Sequence, residues 1–79
     1  MEIKGIYDNG GNTFDRYTVV LKQKLGNHNW CLVLSHNPHE IQGFSSFAKC
    51  MDGDPLLGSK INFEDLPENI QKHIKRRIE

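Results

Sequence analysis

Seventy-nine residues, with ten Lys plus Arg set against ten Asp plus Glu, make a small and electrically neutral chain. That length allows one domain with a modest core, because so short a chain buries only about 60% of its unfolded surface. Balanced charge argues against a dedicated DNA-binding module or a polybasic membrane anchor, and no apolar run approaches the roughly 18 residues that span a bilayer.

The first element expected is a short strand over residues 3–7. It runs into Asp8-Asn9-Gly10-Gly11-Asn12, all residues that favour turns or positive φ. Beyond them Tyr17-Thr18-Val19-Val20-Leu21 is aromatic and β-branched, the composition of a strand. Asn-Gly between two such runs predicts a hairpin turning at Asn9-Gly10. Gly26-Asn27-His28-Asn29 makes a second turn, and Trp30-Cys31-Leu32-Val33-Leu34 follows it, apolar throughout. A run without alternation reads as an inner strand covered on both faces.

A loop holding Pro38 and Gly43 leads to a further strand over 44–50. Gly53-Asp54-Pro55 is another turn, and Lys60-Ile61-Asn62-Phe63 a short last strand. The helix is clearest. Pro67 suits its first turn, acidic Glu64, Asp65 and Glu68 lie at its start, and Lys72, Lys75, Arg76 and Arg77 lie toward its end, matching the macrodipole. Leu66, Ile70, Ile74 and Ile78 recur at helical spacing and form one apolar stripe. An isolated helix of that length is marginal, so the stripe must lie on the sheet. The fold expected is α+β: a small antiparallel sheet of three to five strands, packed by one C-terminal amphipathic helix, as a single domain over 1–79.

The opening MEIKGIYDNGG has neither the basic nor the apolar region of a signal peptide. Two cysteines, Cys31 and Cys50, are too few for the disulfide framework of a small secreted domain. Both features predict a cytoplasmic protein without a native bridge.

Five constellations bear on chemistry. Cys31, His36, His39 and Cys50 are the residue types that hold zinc, but they lack the close Cys-x-x-Cys pair of structural sites, so the ordinary reading is two loop histidines and two unrelated thiols. The run from Asp8 to Asp15 offers oxygen ligands without the closing Glu of a calcium loop. Nucleophilic catalysis would need Cys50, Ser35, Ser45 or Ser46 beside His36 or His39, and no nucleophile elbow supports it. Gly10-Gly11 is neither a P-loop nor a dinucleotide fingerprint. The basic helix end, Lys72 to Arg77, is explained by dipole complementarity and solubility before any nucleic acid is invoked. No catalytic residue, metal or cofactor is expected.

Asp15-Arg16-Tyr17 remains. In a strand Asp15 and Tyr17 share a face and Arg16 points the other way, toward a carboxylate across the sheet or toward a ligand. Arg and aromatic side chains are common interface anchors, so the binding surface expected joins Asp15, Arg16 and Tyr17 to His36, His39 and Phe44 of the following loop.

Several segments resemble a family of small uncharacterised proteins encoded by phages, prophages and bacterial accessory regions. The similarity lies in Asp8 to Gly11 with Thr13-Phe14-Asp15-Arg16-Tyr17-Thr18-Val19-Val20, then Leu34-Ser35, Asn37-Pro38 and Gln42-Gly43-Phe44. It continues through Leu57-Gly58, Ile61, Glu64-Asp65-Leu66-Pro67-Glu68 and Gln71-Lys72-His73. Ile41 and Ser45 stand where that pattern favours a proline and a glycine. The resemblance implies a small accessory protein in a phage or host setting and transfers no catalytic residue. Taken with the neutral charge and the lack of a catalytic set, the function expected is a non-enzymatic protein that binds a host protein or a small-molecule ligand in the host cytosol, a defence component being one candidate target. A nucleic-acid-associated role for the basic helix end is the alternative, although neutral charge makes nucleic acid the less expected partner. A monomer and a homodimer stay equally open.

Overall fold

The alternation of turn residues and β-branched runs resolves into five strands and a helix. In the computed structural model, which describes residues 2–11, 16–35 and 45–78, the strands are β1 (Ile3–Asp8), β2 (Tyr17–Leu25), β3 (His28–Leu34), β4 (Ser45–Cys50) and β5 (Ser59–Ile61), followed by helix α1 (Glu68–Ile78). They form one antiparallel sheet in the order β4-β3-β2-β1-β5, so the α+β class read from the sequence holds. No helix among the described residues is long and apolar enough to cross a membrane.

The two hairpins turn by different means. Between β1 and β2 the chain turns where the Asn9-Gly10 signal predicts, with β1 ending at Asp8 and β2 beginning at Tyr17. The Asp8 and Asn9 carboxyl and amide oxygens accept the N–H groups of Gly10 and Gly11 at 2.8 Å each, two successive side-chain turns. Both glycines take positive φ, and the Asn9 N–H donates to the Arg16 carbonyl at 3.0 Å to close the loop. Gly26, at φ 64, opens the tight turn between β2 and β3, the position where a two-residue hairpin turn of type II′ needs glycine.

Side-chain alternation gives the sheet two faces. On one, Ile6, Tyr17, Val19, Leu21, Leu32 and Leu34 pack against Leu66, Ile70 and Ile74 of the helix segment, all under a tenth exposed, with Ile78 partly buried beside them. The predicted apolar stripe therefore lies on the sheet. Burying each of these side chains contributes about 1.5–3 kcal/mol. The Pro67 carbonyl accepts from Gln71 N–H at 3.0 Å, which makes Pro67 the residue at the cap rather than one inside the first turn. Asp65 instead closes the preceding short 3-10 turn, its carboxylate accepting the Asn62 N–H at 3.0 Å.

The second face holds Gly5, Tyr7, Thr18, Val20, Cys31 and Cys50. Strand β4 lies at one edge of the sheet and β5 at the other, so residues 51–58 must cross from edge to edge. They return over this second face: Tyr7 Oη donates to Asp52 Oδ1 at 2.9 Å, and Lys4 Nζ lies 3.2 Å from Asp52 Oδ2. Val20 and Cys31 are fully buried here. Strand β3 is thus inner and covered on both faces, as its unbroken apolar run predicts.

Candidate functional site

Two residues of the expected surface fall within the described part of the chain. Asp15, His36, His39 and Phe44 lie outside the described residues, which leaves Arg16 and Tyr17. Arg16 donates from Nε to Asp8 Oδ1 at 2.9 Å and from Nη2 to Asp8 Oδ2 at 3.3 Å. Its guanidinium also sits 5.3 Å from the centre of the Tyr17 ring. The Arg16 hydrogen bond holds the Asp8 carboxyl below its usual range, against a smaller opposing effect of burial. This is the structural ion pair of the two outcomes open to Arg16.

Tyr17 corrects the expectation more sharply. Its side chain is 4% exposed and belongs to the helix-covered core, because residue 17 shares a face with Val19 and Leu21. An aromatic in that register packs the interior and is not available as an interface anchor.

The other constellations fall only in part on the described residues. Among the described residues no three His, Cys, Asp or Glu side chains are placed to hold a metal; His36 and His39 of the zinc-compatible set lie outside them. Ser35 is buried at 2%. Ser45, weighed in the sequence beside the loop histidines, instead meets His73 of α1, with Oγ 2.7 Å from Nε2.

That contact belongs to a larger arrangement along the seam between β4 and α1. Ser45, Phe47 and Lys49 alternate on the helix side of β4, opposite Leu34, Leu32 and Trp30 of β3. His73 and Arg77 are four residues apart, so they share one flank of α1. Trp30 and Phe47 stack with centroids 5.8 Å apart and planes within 1°, and the Arg77 guanidinium lies 4.9 Å above the Phe47 ring. The Arg77 guanidinium thus lies over the Phe47 ring, which itself stacks with Trp30. Arg76 adds a second cation close enough to act on His73.

Burial first, then the charges of Arg76 and Arg77, push the His73 imidazole below its ordinary pKa. At neutral pH it is an uncharged partner for the Ser45 hydroxyl. No family model, curated protein or solved structure matches the chain, so the seam is interpreted on its chemistry. Acyl transfer at Ser45 would need preorganised donors for an oxyanion and an oriented base in addition to the pair itself. What the seam presents is cationic nitrogen and aromatic faces, groups that bind.

The rest of the basic helix end is engaged in local contacts. Lys72 pairs with Glu68 at 3.3 Å, one turn earlier, and Lys75 lies 5.6 Å over the Phe63 ring on the other flank. Periodicity identified the stripe but not this seam, because nothing local links residues 30, 47, 73 and 77. The only available signal was that Phe47 and Trp30 fall on the helix-side register once β3 and β4 are paired.

Proposed function

We propose that the chain is a non-enzymatic accessory protein, of the phage or prophage kind its sequence resembles, that binds a host factor through the β4–α1 seam. The observation that carries this reading is the Arg77–Phe47–Trp30 stack. Arg and Trp are the residue types that most often dominate binding energy, and a guanidinium held over an aromatic face keeps its remaining donors in a fixed fork for carboxylate or phosphate. The partner favoured is therefore a protein or small ligand that presents an anionic group beside an apolar one. Occlusion of a defence component by a small neutral domain needs no turnover, in keeping with a site made of cations and rings.

The test is capture by the tagged chain from host cells, compared with Arg77→Glu and Lys49→Glu variants whose circular dichroism matches the parent. Loss of the same captured species in both variants supports the reading; unchanged capture in both removes the seam as the binding surface.

A second reading, nucleic-acid binding, draws on Arg77 over Phe47 and Lys49 opposite Trp30, since cations with stacking faces also suit single strands. Affinity for a labelled single-stranded oligonucleotide that falls steeply with salt, and falls again in Arg77→Glu, favours it. Salt-insensitive or undetectable binding excludes it.

A further inference from the structure

Cys31 and Cys50 are separated by most of β3, the following loop and β4, yet they come together on the second face of the sheet. In the β3–β4 register Cys31 stands opposite Ala48 and Asn29 opposite Cys50, so the two cysteines are diagonal neighbours on one face. The Cys31 thiol is directed toward β4, donating to the Ala48 carbonyl at 3.3 Å, and the Cys50 thiol is in hydrogen-bonding contact with that of Cys31. Neither is in a disulfide; Cys31 is buried and Cys50 is half-buried.

We infer that Cys31 and Cys50 are a reversible modification site, a dithiol that closes to an intramolecular disulfide across β3 and β4 when a small-molecule disulfide such as oxidised glutathione is present. Cys50, the more exposed of the two, reacts first. Its thiol loses a proton, and the thiolate attacks one sulfur of the oxidised glutathione, breaking that S–S bond and releasing one glutathione as its thiolate. Cys31 then loses its proton and attacks the Cys50 sulfur, releasing the second glutathione. The protein loses two protons and two electrons, and one disulfide becomes two thiols.

The geometry explains why the bond is reversible. Diagonal neighbours in an antiparallel pair stand about 7–8 Å apart, beyond the roughly 4.4–6.8 Å between Cα atoms that a relaxed disulfide spans. Closure requires β4 to draw inward and shift along β3. As the edge strand, with β3 as its only strand neighbour among the described residues, it has that freedom. A bond made under such strain is more easily reduced than a structural one. Burial, with Asp52 and Asp54 adding to it, also keeps the Cys50 thiol above its ordinary pKa, so the first attack is slow at neutral pH. Once closed, the bond ties β4, which carries Ser45 and Phe47 of the seam, to the inner strand. The inference does not depend on what the seam binds.

The experiment equilibrates the full chain in glutathione buffers of increasing oxidation, blocks remaining thiols, and maps the products by intact mass and peptide mass spectrometry. A monomer that has lost two hydrogens, yields a Cys31–Cys50 linked peptide and returns to the dithiol with dithiothreitol is the expected result. Because closure strains the sheet, its thermal midpoint should lie close to that of the reduced chain, and Cys50→Ser should abolish the product. Glutathione retained on Cys50 with Cys31 still alkylatable, a disulfide-linked dimer, or two unreacted thiols at the most oxidising ratio would each overturn the inference.

Discussion

The Tyr7 hydroxyl donates to the Asp52 carboxylate at 2.9 Å, across 45 positions of sequence. It joins the first hairpin to the segment that crosses the second face, and it shifts both groups: Asp52 raises the Tyr7 pKa, with burial adding to it, while the Tyr7 bond leads the lowering of the Asp52 pKa. Lys4 strengthens the same anchor from the other carboxylate oxygen. Without this contact residues 51–58 would have little to hold them against the sheet.

Tyr7→Phe should therefore cost about 1.5–3 kcal/mol, the range for a hydrogen bond to a charged group. It should also raise hydrogen exchange selectively in residues 51–58. Lys4→Ala, which removes a pair with side chains 42% and 29% exposed, should cost no more than about 1 kcal/mol. Urea unfolding of the two variants compares them directly. Equal losses would show that the hydroxyl contributes nothing beyond surface electrostatics.

Gly58 and Gly26 separate backbone strain from overlap. Both have positive φ, 94° and 64°, but only at Gly58 would a Cβ run into the Asp8 carbonyl oxygen and the Asn9 Cα; at Gly26 it meets nothing within 4 Å. Gly26→Ala should cost about 1 kcal/mol, the penalty for a left-handed alanine. Gly58→Ala should exceed about 3 kcal/mol, because the backbone of the β1–β2 loop must move as well. Similar thermal midpoints for the two variants would contradict the close approach.

These contrasts bear on what was legible in the sequence. Strand and helix positions could be read because each has a local cause: β-branched runs at Tyr17 and Trp30, a four-residue apolar period from Leu66, and turn residues between. The β1–β2 turn is legible in the same way, because Asp8 and Asn9 cap the Gly10 and Gly11 N–H groups with their own side chains, the local chemistry that makes them turn formers. The polar end of β2, beyond Leu21, was missed because its exposed Lys22, Gln23 and Lys24 carry no burial pattern. The sequence pattern places Tyr17 on a surface because a strand sequence does not say which face the helix will cover. The β4–α1 seam was invisible for the same reason, since it exists only after Ser45 and Phe47 are set opposite His73 and Arg77.

Asp8 and Arg16 form an unequal pair. Asp8 accepts from Arg16 Nε, Arg16 Nη2 and the Gly10 N–H, whereas the Arg16 side chain is one-third exposed. Arg16→Ala should cost about 0.5–1 kcal/mol, and Asp8→Ala more, since it also frees the Gly10 N–H and opens the loop. Because the folded Asp8 carboxyl has a lowered pKa, its stabilisation is present above the unfolded value of about 3.9 and is lost as pH falls through the folded one. Unfolding measured between neutral and strongly acidic pH should lose part of its slope below about pH 4 in the Asp8→Ala chain.

His73 has the same proton preference as Asp8, expressed at higher pH. Burial and the Arg76 and Arg77 charges lower its folded pKa, so below about pH 6.5 the unfolded chain takes up a proton that the folded chain refuses. Stability must then fall on acidification from that point and level off once the folded imidazole is itself protonated. His73→Gln, which keeps a polar partner for Ser45, should flatten this part of the profile. Arg77→Gln should raise the folded His73 pKa, read from the imidazole proton shifts by NMR titration, because it removes one of the two repelling cations. If the titration midpoint of His73 were unmoved in Arg77→Gln, the guanidinium would be too far from the ring to act on it, and the seam would not be the continuous cationic surface on which the binding proposal depends.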